Sequence, residues 1–85
     1  MNKEQLESRL KKQNINPNLY ALDGNPIVDR IILMKVDLGW EIFYFDDKGK
    51  KENVKRFLNE NDACDYVYQV LKDDQQTANQ FGLNQ

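Results

Sequence analysis

Eighty-five residues, 40% of them apolar and 11% aromatic, suffice for one small core and exclude a chain that is disordered throughout. A net charge of −2 is neither basic enough to hold nucleic acid by bulk charge nor acidic enough to mimic DNA. One cysteine and no histidine exclude an internal disulfide, a zinc site built on imidazole or thiolate, and any histidine-dependent nucleophile.

Residues 2–13 predict a short helix in which Leu6 and Leu10, four apart, form a narrow apolar stripe among charged neighbours. Asn2 suits its N-cap and Asn14 its exit. Two leucines cannot stabilise an isolated helix, so this one depends on docking. Residues 14–26 read as a loop within the domain, punctuated by Pro17, Pro26 and Asp23-Gly24. Within it Leu19, Tyr20 and Leu22 can pack as a short extended piece.

Residues 27–36 predict a strand, and the unbroken apolar run from Ile31 to Met34 predicts cover on both of its faces. Asp37-Leu38-Gly39 is a tight turn. A second strand spans residues 40–46, and a turn centred on Lys48-Gly49 uses Gly49 at positive φ. The third strand, about 51–57, is polar apart from Val54 and Phe57, and its lysines and arginine suit a sheet edge. Asn59 suits the N-cap of a last helix, with Glu60 and Asp62 at the positive end of its dipole. Ala63, Val67, Val70 and Leu71 recur on one face, with Tyr66 beside them. The strong part of that helix is expected to end at Asp73-Asp74, with a frayed amide-rich tail over 75–85.

The predicted class is therefore α+β, a single domain over residues 1–85. It consists of a three-stranded antiparallel meander between one N-terminal and one C-terminal helix, both helices on one face. Strand parity then divides the second strand. Trp40, Ile42 and Tyr44 are expected against the helices, while Glu41, Phe43 and Phe45 face away. Two helices are not expected to cover both sides, which makes Phe43 and Phe45 the aromatic candidates for an interface. Trp40, Tyr44, Tyr66 and Tyr68 are expected in or at the edge of the core.

Little chemistry is available. The carboxylate pairs Asp46-Asp47 and Asp73-Asp74 fall at a turn and a helix end, where they suit turn formation and solvation better than acid–base work across a cleft. Cys64 reads as a small core residue. Charge is segregated along the chain. Residues 48–56 carry Lys48, Lys50, Lys51, Lys55 and Arg56 against Glu52, whereas residues 59–74 carry five acidic side chains against Lys72. No apolar stretch is long enough to span a membrane and no secretory signal is visible, so a cytoplasmic location is the expectation.

Several segments resemble a known group. Asn16-Pro17-Asn18-Leu19-Tyr20-Ala21-Leu22-Asp23-Gly24, Gly39-Trp40-Glu41-Ile42-Phe43-Tyr44, Lys48-Gly49-Lys50, and Phe57 followed by Glu60-Asn61-Asp62-Ala63-Cys64-Asp65-Tyr66 are similar in order to small bacterial immunity proteins of polymorphic toxin systems. The resemblance covers roughly residues 14–71. Asn25-Pro26 departs from it where a second glycine is common, and Phe43 stands in place of a tyrosine. It implies a non-enzymatic protein that binds and neutralises one cognate toxin domain, a nuclease or an NAD glycohydrolase, by blocking its active site or substrate entry; the residues themselves point to no cofactor or metal. On the residues themselves, the expected contact set is Glu41, Phe43, Phe45, Asp46 and Asp47, with acidic groups complementing a basic toxin cleft. The alternative is a small homodimeric structural or adaptor module of a phage or mobile element, paired through its sheet. Neither reading involves nucleic acid or a membrane.

Overall fold

A computed structural model of the chain describes residues 1–81, with side chains as far as Asp73. Helix α1 (Lys3–Lys12) is closed at both ends. The Asn2 side chain accepts from the Gln5 amide at 2.8 Å, and the Gln5 side chain accepts from the Asn2 amide at 2.9 Å. This reciprocal pair satisfies amides that a helix start leaves without partners. At the other end Asn14 takes φ 56°. The Asn14 amide bonds to the Lys11 carbonyl and that of Ile15 to Leu10, which is the Schellman arrangement. Leu10 and Ile15, both buried, complete it with an apolar contact.

The sheet has four strands in the order β1 (Tyr20–Ala21), β2 (Arg30–Val36), β3 (Gly39–Phe45), β4 (Lys51–Phe57). The antiparallel meander of the last three matches expectation. The sheet as a whole is mixed, because β1 pairs in parallel with β2 through Tyr20–Ile31 and Ala21–Ile32. Two residues are too short to carry a period-2 pattern, so this strand is invisible in the sequence except as a packing segment. The Arg30 guanidinium holds the segment in place through the Pro17 and Tyr20 carbonyls and the Asn18 side chain.

The β2 strand begins at Arg30 rather than Ile27. Asp29 adopts φ 63°, which breaks the extended run, and its amide donates to the Phe45 carbonyl. Ile27 and Val28 are consequently exposed. Gly49 takes the predicted positive φ, 80°. The polar strand β4 lies at the sheet edge, as its charges suggested.

Helix α2 (Glu60–Phe81) starts as expected, with the Asn59 side chain accepting from the Asp62 amide at 2.8 Å. It continues past Asp73 and Asp74, where the sequence pointed to the end of its strong part. Asp73 is held within the helix by a 2.9 Å bond from Gln69, four residues earlier. The fraying expected over 75–85 falls partly on residues 82–85, which lie outside the described residues. The two helices are tied where α1 begins, by the Lys3 amide donating to Glu60 at 2.8 Å.

Both helices lie on one face of the sheet. Leu6, Leu10, Ala63, Cys64, Val67 and Leu71 form the main core with Leu33 and Ile42, and Ile31, Trp40 and Phe57 pack against it. Strand parity thus holds for Trp40 and Ile42. Tyr44 shares their side but lies at the sheet end, half-buried, with its hydroxyl 3.1 Å from Asp29. Ala21, Ile32 and Phe43 make a second, smaller cluster on the helix-free side, with Met34 and Phe45 packed on it.

Candidate interaction surface

The helix-free face is built mainly from β2, β3 and β4, with Ala21 of β1 at its edge. The register places Arg30, Ile32, Met34 and Val36 of β2 beside Phe45, Phe43, Glu41 and Gly39 of β3. On the other flank Lys51 pairs with Phe45 and Arg56 with Glu41. Lys51 and Arg56 are five apart, so strict alternation would send them to opposite faces. A bulge between the Tyr44–Glu52 and Ile42–Lys55 pairs inserts one residue and returns them to the same face. Asn53 within it takes φ 55°, a left-handed conformation that asparagine tolerates well. Val54 then shares the helix-free side with Arg56.

This geometry joins Glu41 to both cations. Its two carboxylate oxygens lie 3.0 Å from Lys51 Nζ and 2.9 Å from Arg56 Nε. Glu41 is only 6% exposed. The Arg56 and Lys51 hydrogen bonds, in that order, hold its carboxyl below the ordinary glutamate value despite burial. A depressed folded pKa contributes stability that is complete above the unfolded value and is lost as pH falls through the folded one. Glu41→Gln should therefore cost about 1 kcal/mol at neutral pH, a figure reduced by solvent screening of the two partly exposed cations. The gap to wild type should close on acidification below the ordinary glutamate range. Urea unfolding at a series of pH values checks this, and a pH-independent gap would contradict it.

The triad seals what parity alone left open. Lys51 Nζ sits 4.7 Å from the centre of the Phe43 ring, and Phe45 meets that ring edge-on at 6.1 Å. With Ile32 beside it, Phe43 is 1% exposed. Phe43 is thus a packing residue and not an exposed anchor, and Glu41 is a neutralised partner and not a free acidic contact. Asp46 is likewise engaged, accepting from the Lys48 amide at 2.9 Å and the Lys50 amide at 2.7 Å. The Lys50 amide is the larger cause of its lowered pKa. Asp46 shapes the turn. Phe45 remains half-buried at the surface and Asp47 is exposed. Of the five expected contact residues, these two stay available to a partner.

Other residues are more open. Leu38 and Leu58 are 86% and 87% exposed, at the end of the sheet where Val36, Trp40, Arg56 and Phe57 line the same groove. Leu58 occupies the position before the N-cap of α2, where an apolar residue commonly packs back onto the first turn. Its exposure shows that this packing does not occur. Met34 and Val54 extend the apolar surface along the helix-free face, Val54 at 40% exposure. Leu38 was legible as a turn residue, but no periodicity marked it or Leu58 as exposed. The bulge hid Val54.

Cys64, on the inner face of α2, is fully buried. Burial pushes its thiol up, and the Glu60 carboxylate acts in the same direction, so the nucleophilic thiolate is disfavoured. Among the described residues no cluster of three or more histidine, cysteine or carboxylate groups could hold a metal, and no helix is long and apolar enough to cross a membrane. In comparisons with known proteins the chain matches no family model, no curated protein and no solved structure.

Proposed function

We propose that this chain is a non-enzymatic immunity protein that neutralises a cognate bacterial toxin domain in the cytoplasm by covering its active site. The observation that carries the reading is the helix-free sheet face, with Phe45, Met34 and Val54, together with two leucines almost wholly in solvent at the adjoining sheet end. An apolar surface of this kind, rimmed by charge, is what a protein interface requires. The rigid sheet beneath it presents that surface without a further ordering cost on binding. The ordered motifs similar to immunity proteins and the lack of histidine favour inhibition over catalysis.

The test is co-expression with the product of the adjoining gene, expected to end in a toxin domain. Host survival should require the chain, and Leu38→Asp with Leu58→Asp should abolish protection while the circular dichroism spectrum stays unchanged. A neighbouring gene without a toxic product, or survival independent of this chain, overturns the proposal. A tight dimer in sedimentation that buries the same face would replace it with the homodimeric module.

A further inference from the structure

Charge on the proposed surface opposes the chain's overall sign. The helix-free face carries Lys51 and Arg56, with Arg30 at its edge, against Glu41 alone. Glu41 is fully engaged by two of these cations, yet the Arg56 side chain stays 75% exposed and that of Lys51 49% exposed. At the adjoining turn the exposed Lys48 and Lys50 are balanced by Asp46, whose carboxylate accepts from their amides, and by the exposed Asp47, so the turn adds no net charge. On the helical side the exposed acids Asp62, Asp65 and Asp73 line α2. Helix α1 on that side is itself net positive, so the asymmetry is confined to the helix-free face, which is net positive on a net negative chain.

We infer that the partner docks on the helix-free face with an acidic protein surface surrounding an apolar centre. This deepens the proposed function and rests on its choice of surface. It reverses the expectation, drawn from Glu41, Asp46 and Asp47, of a basic cleft in the partner. Arginine's planar fork suits carboxylates in two-point contact, and Arg56 presents it beside Val54 and Leu58. Single-stranded nucleic acid fits less well. It needs successive flat rings on which to stack, and on this face Phe43 is sealed beneath Lys51 and only Phe45 is partly open, while Met34, Val36, Val54 and Leu58 carry no ring. A toxin held in this way is covered through an acidic surface beside its active site, and substrate entry is blocked by bulk.

The test is a titration of the isotope-labelled full chain, followed by amide chemical shifts. The probes are a synthetic amphipathic peptide of glutamate and leucine, the same peptide with lysine for glutamate, and oligouridine RNA. The acidic peptide should shift amides at Met34, Phe45, Val54 and Arg56, and the effect should fade as salt rises from about 50 to 500 mM. The variant Arg56→Gln, which leaves Glu41 paired with Lys51, should weaken it several-fold, with folding checked by its dispersed spectrum. Shifts on α2, stronger shifts from the lysine peptide or RNA, or no shifts overturn the inference. The neighbouring toxin domain separates the two ideas. If it does not bind while the acidic peptide does, only the function falls. If it binds at a rate indifferent to salt, only the acidic partner falls.

Discussion

Replacing Phe43 by alanine is expected to destabilise the protein by about 3–5 kcal/mol, the range for deleting a buried phenyl ring. The ring is 1% exposed, yet no helix covers it. Its cover consists of Ile32, the Phe45 edge and the Lys51 stem, whose ammonium lies over the ring. Removing the ring also removes the surface on which Lys51 lies, and with it part of the support for Glu41. Small domains have only about 5–15 kcal/mol in total, so much of the protein should unfold at moderate temperature. Urea titration of wild type and variant measures the loss. A cost under about 1 kcal/mol would mean that the ring is not the keystone of this face. Loss of partner binding in this variant would reflect unfolding and not a lost contact.

Gly39→Ala should have an effect of similar size for a different reason. Gly39 takes φ 151° and opens β3 directly against the end of β4. An added Cβ would collide with the Phe57 carbonyl oxygen and crowd the Leu58 Cα at 3.2 Å. These atoms belong to the backbone, so no side-chain rotation relieves the clash. Strained φ and overpacking each cost about 1–3 kcal/mol, which sets the expected loss at the upper end of ordinary point changes. The strands would also separate at the Trp40–Phe57 pair, which carries part of the main core. Amide exchange should therefore quicken first at residues 39–41 and 56–57. Uniform exchange in the variant would argue against a local clash.

Comparing these two positions shows where the sequence was readable. A glycine between Leu38 and Trp40 marked a turn, but its close approach to Phe57 depends on a strand that returns eighteen residues later. The parity of β3 was readable because Glu41 is the one charged residue between Trp40 and Phe45 and marks its own side as the outer one, and the core placement of Trp40 and Ile42 followed from it. The capping asparagines Asn2, Asn14 and Asn59 were readable because each acts on amides within a few residues. Burial of Phe43 was not, since it depends on Lys51 reaching across from another strand. Exposure of Leu38 and Leu58 was hidden for the converse reason, as neither apolar side chain finds a neighbour in the fold.

The amino-acid order alone determined the α+β class, the meander, and the common side of Glu41, Phe43 and Phe45, because helix caps, tight turns and two-residue alternation are short-range physics. Only the tertiary structure decided the character of that side. One extra residue at Asn53 shifts the phase of β4, brings Lys51 and Arg56 to the same carboxylate, and turns an expected acidic aromatic patch into a basic one with its ring sealed. A phase shift in one strand acts on side chains of another, so it becomes visible only when the two are laid together.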